Sequence, residues 1–137
     1  MRNLAIIALA TLTACGPDLS ALEGRDAISF GVYGSIHGGG STTLYDTDQV
    51  VADWWGGDPG PEGPRLTPVP AGTFAALVPV ALDGIAELRP YNGELCMDYG
   101  TDYIRVTLDG VVTEATAVCP VDELLTLRDE LAAAMGQ

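Results

Sequence analysis

The chain has 137 residues, 19 of them Asp or Glu against six Arg and no Lys, for a formal charge of −13 at neutral pH. Such a balance makes nucleic acid and anionic lipid headgroups poor partners, because both are held through clustered Lys and Arg, and no nucleic acid is expected. Without a lysine, Schiff-base and Ser-Lys chemistry are excluded.

In chain order, Met1-Arg2-Asn3 carries one positive charge and precedes an uncharged, mostly apolar run from Leu4 to Leu12. A bilayer span needs about 20 apolar residues, so this run has the length of a secretory signal and not of a membrane helix. It ends in Leu12-Thr13-Ala14-Cys15, which resembles the lipobox of bacterial lipoproteins. The resemblance implies cleavage before Cys15, a diacylglycerol on its sulfur and an acyl chain on the new amino terminus. No other cofactor is expected. Gly16 in place of Asp lacks the inner-membrane retention signal of that family, which implies an outer-membrane lipoprotein facing the periplasm. Two or more acyl chains hold a protein firmly, at about 0.8 kcal/mol per buried methylene. The expected organisation is a signal peptide over 1–14, a lipidated cysteine and tether over 15–26, and one domain over 27–137. Residues 15–137, 123 in number, carry five Arg and 19 acidic side chains, or −14 with the amino terminus blocked.

With Cys15 lipidated, Cys96 and Cys119 remain in a compartment that permits disulfides, and they are expected to pair.

Ala27–Tyr33 alternates Ile28, Phe30 and Val32 on one side, which predicts a strand. The segment Gly34–Gly40 follows, then strands over Ser41–Tyr45 and Gln49–Trp55, joined by the turn-forming Asp46-Thr47-Asp48. Nine of the fifteen residues from Gly56 to Pro70 are Gly or Pro, so no ladder or helix is expected there. Phe74, Leu77, Val78, Ala81, Ile85 and Leu88 fall at helical spacing, with Thr73 as expected N-cap and Pro79 expected to kink the helix or split off its first turn. Asp109-Gly110 between Thr101–Leu108 and Val111–Val118 predicts a type I′ hairpin. Its register sets Arg105 opposite Glu114 and Cys119 opposite Gly100, so a disulfide requires the chain to bend near Tyr99-Gly100. Pro120 opens a last helix with Asp122 and Glu123 in its first turn, a Leu124, Leu127, Leu131 and Met135 stripe, and Gly136 at its end. The order β-β-β-α-β-β-α predicts an α+β fold: an antiparallel sheet of about five strands with two helices packed on one face. This layout, with its glycine-rich first hairpin and closing helix, resembles emfourin-type small protease inhibitors. The resemblance implies an inhibitor-like role and carries over no residue.

The candidate sites follow. His37-Gly38-Gly39-Gly40 matches in letters the oxyanion loop of one esterase group, but that chemistry needs a Gly-x-Ser-x-Gly elbow and a second histidine, and the chain has neither. A phosphate cradle needs Gly-Lys-Ser/Thr, also missing. The stretch therefore reads as a turn joining two strands. Asp98 and Asp102 offer a carboxylate pair for a small envelope hydrolase, the alternative to a non-enzymatic domain. Asp46, Asp48, Asp53 and Asp58 lack any calcium-loop spacing, and no metal site is expected. Adjacent strand residues point to opposite faces, so one of Trp54 and Trp55 is core and the other faces outward beside the Pro-Gly segment. Trp54, Trp55 and Arg65 are accordingly the candidate contacts for an envelope or secreted protein. A third alternative is a structural acidic spacer.

Overall fold

The computed structural model describes residues 16–56 and 63–137; the lipobox-like stretch Leu12–Cys15 and residues 57–62, Asp58 among them, fall outside these. A 3-10 turn at Ser20–Leu22 precedes strands β1 (Ala27–Tyr33), β2 (Gly39–Tyr45), β3 (Gln49–Trp55) and β4 (Arg65–Pro68). Then come helix α1 (Thr73–Glu87), strands β5 (Thr101–Leu108) and β6 (Val111–Ala117), and helix α2 (Asp122–Ala134). The fold is α+β: one antiparallel sheet of six strands in the order β4-β3-β2-β1-β5-β6. The first four strands form a meander. Because β5 pairs antiparallel with β1, β4 and β5 run the same way. The link between them must therefore return from one end of the strands to the other, passing over β3, β2 and β1, and α1 lies in that crossing.

The alternation read from β1 places Ile28 and Phe30 on the covered face. Their neighbours there are Leu44, Ile104 and Val106 from the flanking strands, with Val50 of β3 beyond Leu44. Ala81 and Ile85 of α1 and the predicted stripe Leu124, Leu127, Leu131 and Met135 of α2 complete the same core, so both helices lie on one side of the sheet.

The hairpin forms in the predicted register, Leu108 opposite Val111 and Arg105 opposite Glu114. Asp109 and Gly110 both take positive φ, 49° and 77°, as a type I′ turn requires. Arg105 Nε donates to Glu114 Oε2 at 2.7 Å. At the far end Gly136, at φ 72°, closes α2. Its N–H bonds Ala133 O while that of Gln137 bonds Ala132 O, the pair of reversed bonds that satisfies the last carbonyls of a helix.

Four expectations are corrected. The segment Gly56–Pro70 does carry a ladder: β4 pairs with β3, from Gln49 opposite Pro68 to Ala52 opposite Arg65. An edge strand bonds on one side only, so a proline at its end costs little. Of the two effects expected of Pro79, the split of the first turn is overturned: α1 runs unbroken from Thr73 to Glu87. The carbonyl that loses its partner belongs to Ala75, and both residues are exposed, so water can satisfy it. Thr73 is not the N-cap; that position is Gly72, which has no side chain to offer. Asp48 caps the helix from the β2–β3 turn instead, its two carboxylate oxygens accepting from Gly72 N at 2.7 Å and Phe74 N at 2.8 Å. Those two backbone donors hold the Asp48 carboxyl below the usual carboxylate range. Finally, Gly39 and Gly40 belong to β2 and not to the turn, and β6 ends at Ala117.

Cys96 and Cys119 form a disulfide, with Cα atoms 5.2 Å apart. The bend it needs is present: Asp98 and Gly100 both take positive φ, 64° and 93°. The bond closes a loop of 23 residues. Replacing both cysteines by Ser should therefore lower unfolding free energy by roughly 3 kcal/mol through the released chain entropy, read from the midpoint of urea denaturation.

Candidate functional site

Strands β1 and β3 finish, and β2 and β5 begin, at one end of the sheet. The singled-out stretches meet there. Trp54 and Trp55 do take opposite faces. Trp54 is half-buried on the helix side, its indole N–H donating to the Thr42 hydroxyl at 3.0 Å. Trp55 stands on the open side, 53% exposed. Gly39 is its cross-strand partner, and the Trp55 ring passes 3.5 Å from where a Gly39 Cβ would sit. Gly38 and Gly56 approach each other backbone to backbone on the same rim. The glycines thus make a floor that the indole lies across, a role the turn reading did not foresee. It is the one part of the cleft written in the sequence as spacing, because Gly39 and Trp55 are equidistant from the β2–β3 turn.

His37, Trp54, Trp55 and Tyr99 border a cleft of about 360 Å³ over that floor. The His37 N–H bonds the Ser35 hydroxyl oxygen at 3.1 Å, and that hydroxyl donates to the Asp98 carbonyl at 3.3 Å. Ser35, nearly buried, so pins the histidine loop to the segment before β5.

A second shallow cleft of about 290 Å³ continues on the open face between Trp55, Tyr33, Tyr103 and Arg105. The Tyr33 and Tyr103 rings meet at a tilt of 46°, 5.8 Å between centroids, and the Arg105 guanidinium lies 5.3 Å from the Tyr103 centroid. Burial raises the Tyr103 phenol above its ordinary range.

Asp98 and Asp102 part company. Asp98 is exposed. Asp102 is fully buried, accepting from the Tyr99 hydroxyl at 2.5 Å and pairing with Arg128 Nη1 at 3.4 Å. Among the described residues no buried side-chain oxygen or nitrogen lacks a partner. Asp102 is occupied in holding Tyr99 against the cleft and α2 against the sheet. Arg65 is exposed at the start of β4. It sits opposite Ala52, which puts it on the face of Trp54 and away from Trp55. Asp46 pairs with Arg25, its Oδ2 accepting from Nη2 at 3.0 Å. Asp48 caps α1, and Asp53 is exposed opposite Ser41. Among the described residues no three His, Cys, Asp or Glu side chains cluster as metal ligands.

Burial, helped by the neighbouring Asp102 carboxylate, pushes the Tyr99 phenol up to about 12. The neutral phenol is therefore favoured in the folded state. Below pH 10 both folded and unfolded tyrosines are neutral and the stabilisation is complete. As pH rises from about 10 to 12 the unfolded phenol ionises first, the unfolded state binds fewer protons, and stability falls. With no lysine in the chain, tyrosines are the side chains that titrate in this window. Phenolate absorbance should show at least one tyrosine ionising near pH 12, and Tyr99→Phe should remove it and flatten the alkaline loss of stability.

Neither any known protein family nor any curated protein matches this sequence.

Proposed function

We propose that the chain is a lipid-anchored domain of the bacterial envelope, without enzymatic activity, that binds another envelope or secreted protein through the Trp55 cleft. The anchor reading rests on Leu12-Thr13-Ala14-Cys15, and an inhibitor-like role is one form of the binding reading. The observation that carries the binding reading is Trp55: a large ring left half in water, on a backbone floor that admits no side chain beneath it. An aromatic side chain held this way loses little further freedom on contact, which is what interface anchors have in common. The hydrolase reading gains no support from Asp102, which is enclosed and ion-paired.

Proximity crosslinking in the native envelope tests it, comparing the wild type with a Trp55→Ala form whose circular dichroism is unchanged. The expected result is a discrete neighbour that is lost in the variant. A neighbour that survives the substitution, or none at all, would instead favour the acidic-spacer reading. Release of the protein from membranes by Cys15→Ser tests the anchor separately.

A further inference from the structure

Beyond the Trp55 cleft, the same end of the sheet carries a second surface. Eight large apolar side chains are exposed among the described residues, and five of them, Tyr33, Ile36, Trp55, Leu95 and Met97, gather at this end. Ile36, Leu95 and Met97 are more exposed than Trp55, at 68%, 70% and 80%. Together with Tyr33 they border a groove of about 280 Å³ beside the disulfide.

These three side chains come from irregular segments, 34–38 and 89–100, yet the backbone that bears them is fastened at several points. Cys96, between Leu95 and Met97, is bonded to Cys119. The Tyr91 hydroxyl donates to the Glu94 carbonyl at 2.5 Å, and the Ser35 hydroxyl joins the two segments through Asp98 O. Apolar side chains on a free loop would fold back onto the protein; here the fastening keeps them displayed. A contiguous exposed apolar patch of this kind marks an interaction site, and fixing it beforehand lowers the entropy cost of binding.

The charges say what fits. Glu94 and Asp98 are exposed and flank Leu95 and Met97, and neither belongs to an ion pair among the described residues. A second copy of so acidic a chain would set these carboxylates against their own kind. An anionic bilayer would likewise set its headgroups against these carboxylates. We propose that this groove seats an extended cationic polypeptide segment. An apolar side chain of the partner enters between Ile36, Leu95 and Met97, and flanking Lys or Arg side chains reach Glu94 and Asp98. The proposal stands whether or not Trp55 contacts a partner.

The test is methyl NMR on the full chain carrying Cys15→Ser, titrated with the acetylated, amidated peptide Lys-Leu-Lys-Leu-Lys. The expected result is saturable shifts of the Ile36, Leu95 and Met97 methyls. Affinity should weaken about tenfold or more when Leu95→Ser and Met97→Ser are combined, and stay unchanged in Trp55→Ala. The Glu-Leu-Glu-Leu-Glu peptide should leave the methyls in place. Three results would overturn the proposal: equal binding of Lys-Ser-Lys-Ser-Lys, which would reduce the effect to charge; no saturable shift at millimolar Lys-Leu-Lys-Leu-Lys; or loss of binding in Trp55→Ala, which would move the contact to the cleft. Broadening of these methyls by phosphatidylcholine vesicles alone would assign the patch to lipid and overturn it too. Because the substituted side chains lie mostly in water, the variants remain folded and the readout stays interpretable.

Discussion

Arg128→Ala should destabilise the protein by about 3 kcal/mol or more, a large part of the 5–15 kcal/mol that holds a small domain together. The reason is Asp102. Its carboxylate is fully buried, and its partners are the Tyr99 hydroxyl and the Arg128 guanidinium. Removing the guanidinium leaves a buried charge with one neutral donor, and an uncompensated charge in the interior costs several kcal/mol. Removing the charge instead should cost less. In Asp102→Asn the amide still accepts from Arg128, whose side chain is partly exposed at 26% and keeps access to water and to Asp129 at 3.3 Å. The double substitution should therefore be less damaging than the sum of the two single ones. Urea denaturation of all four forms, with equal slopes, supplies the cycle. Strict additivity would mean that the pair contributes nothing and that Arg128 acts through packing alone. The same variants report on the cleft, because Asp102 holds Tyr99 at its wall.

The sheet was legible in the sequence wherever a strand announces itself by its own pattern. Ile28 and Phe30 alternate with the small residues Ala27, Ser29 and Gly31, and Asp109-Gly110 sets a hairpin register that the structure keeps residue for residue. The α2 stripe was legible for the same reason, since one face of one element decides it. What could not be read depends on residues far apart in the chain. β4 has almost no pattern of its own, four residues beside Pro64 and Pro70, and is a strand because β3 offers it an edge. The cap of α1 comes from Asp48, 26 residues before Phe74, so a search for a capping residue next to the helix finds only Thr73. Asp102 and Arg128 sit 26 positions apart on different elements. Seen in sequence, Asp102 pairs naturally with Asp98 and suggests acid-base chemistry; in the fold it stays on β5 and its charged partner is Arg128 of α2. The Cys96–Cys119 pair lies between the two cases. Cysteine count and compartment predicted it, whereas the hairpin register alone opposed it, and the positive φ values at Asp98 and Gly100 are what reconcile the two.

The glycine run was legible as a turn through Gly38, whereas Gly39 and Gly40 continue into β2, and Gly40→Ala shows how much rests on that difference. Gly40 lies within β2 at φ 138°, a conformation that side chains disfavour. A Cβ there would run into the Asp53 carbonyl and lie 2.5 Å from the Trp54 Cα. Both atoms are backbone of β3, so no rotamer change relieves the overlap and the ladder itself must part around Trp54. The expected loss is roughly 3 kcal/mol, the upper range for overpacking with added backbone strain. It should come with a changed tryptophan emission, since the Trp54 bond to Thr42 spans the same two strands. Gly110→Ala is the matching control: it also sits at positive φ, 77°, but a Cβ there meets nothing within 4 Å. It should lose only the left-handed penalty of about 1 kcal/mol and leave the emission alone. Equal losses at the two positions would mean that backbone conformation, and not the approach of β3, makes glycine necessary at Gly40. A larger loss at Gly40 would tie the run to the close packing of β2 on β3 that lays Trp55 across its floor, and so would make these glycines a support of the surface proposed to bind, beyond their part in the connection.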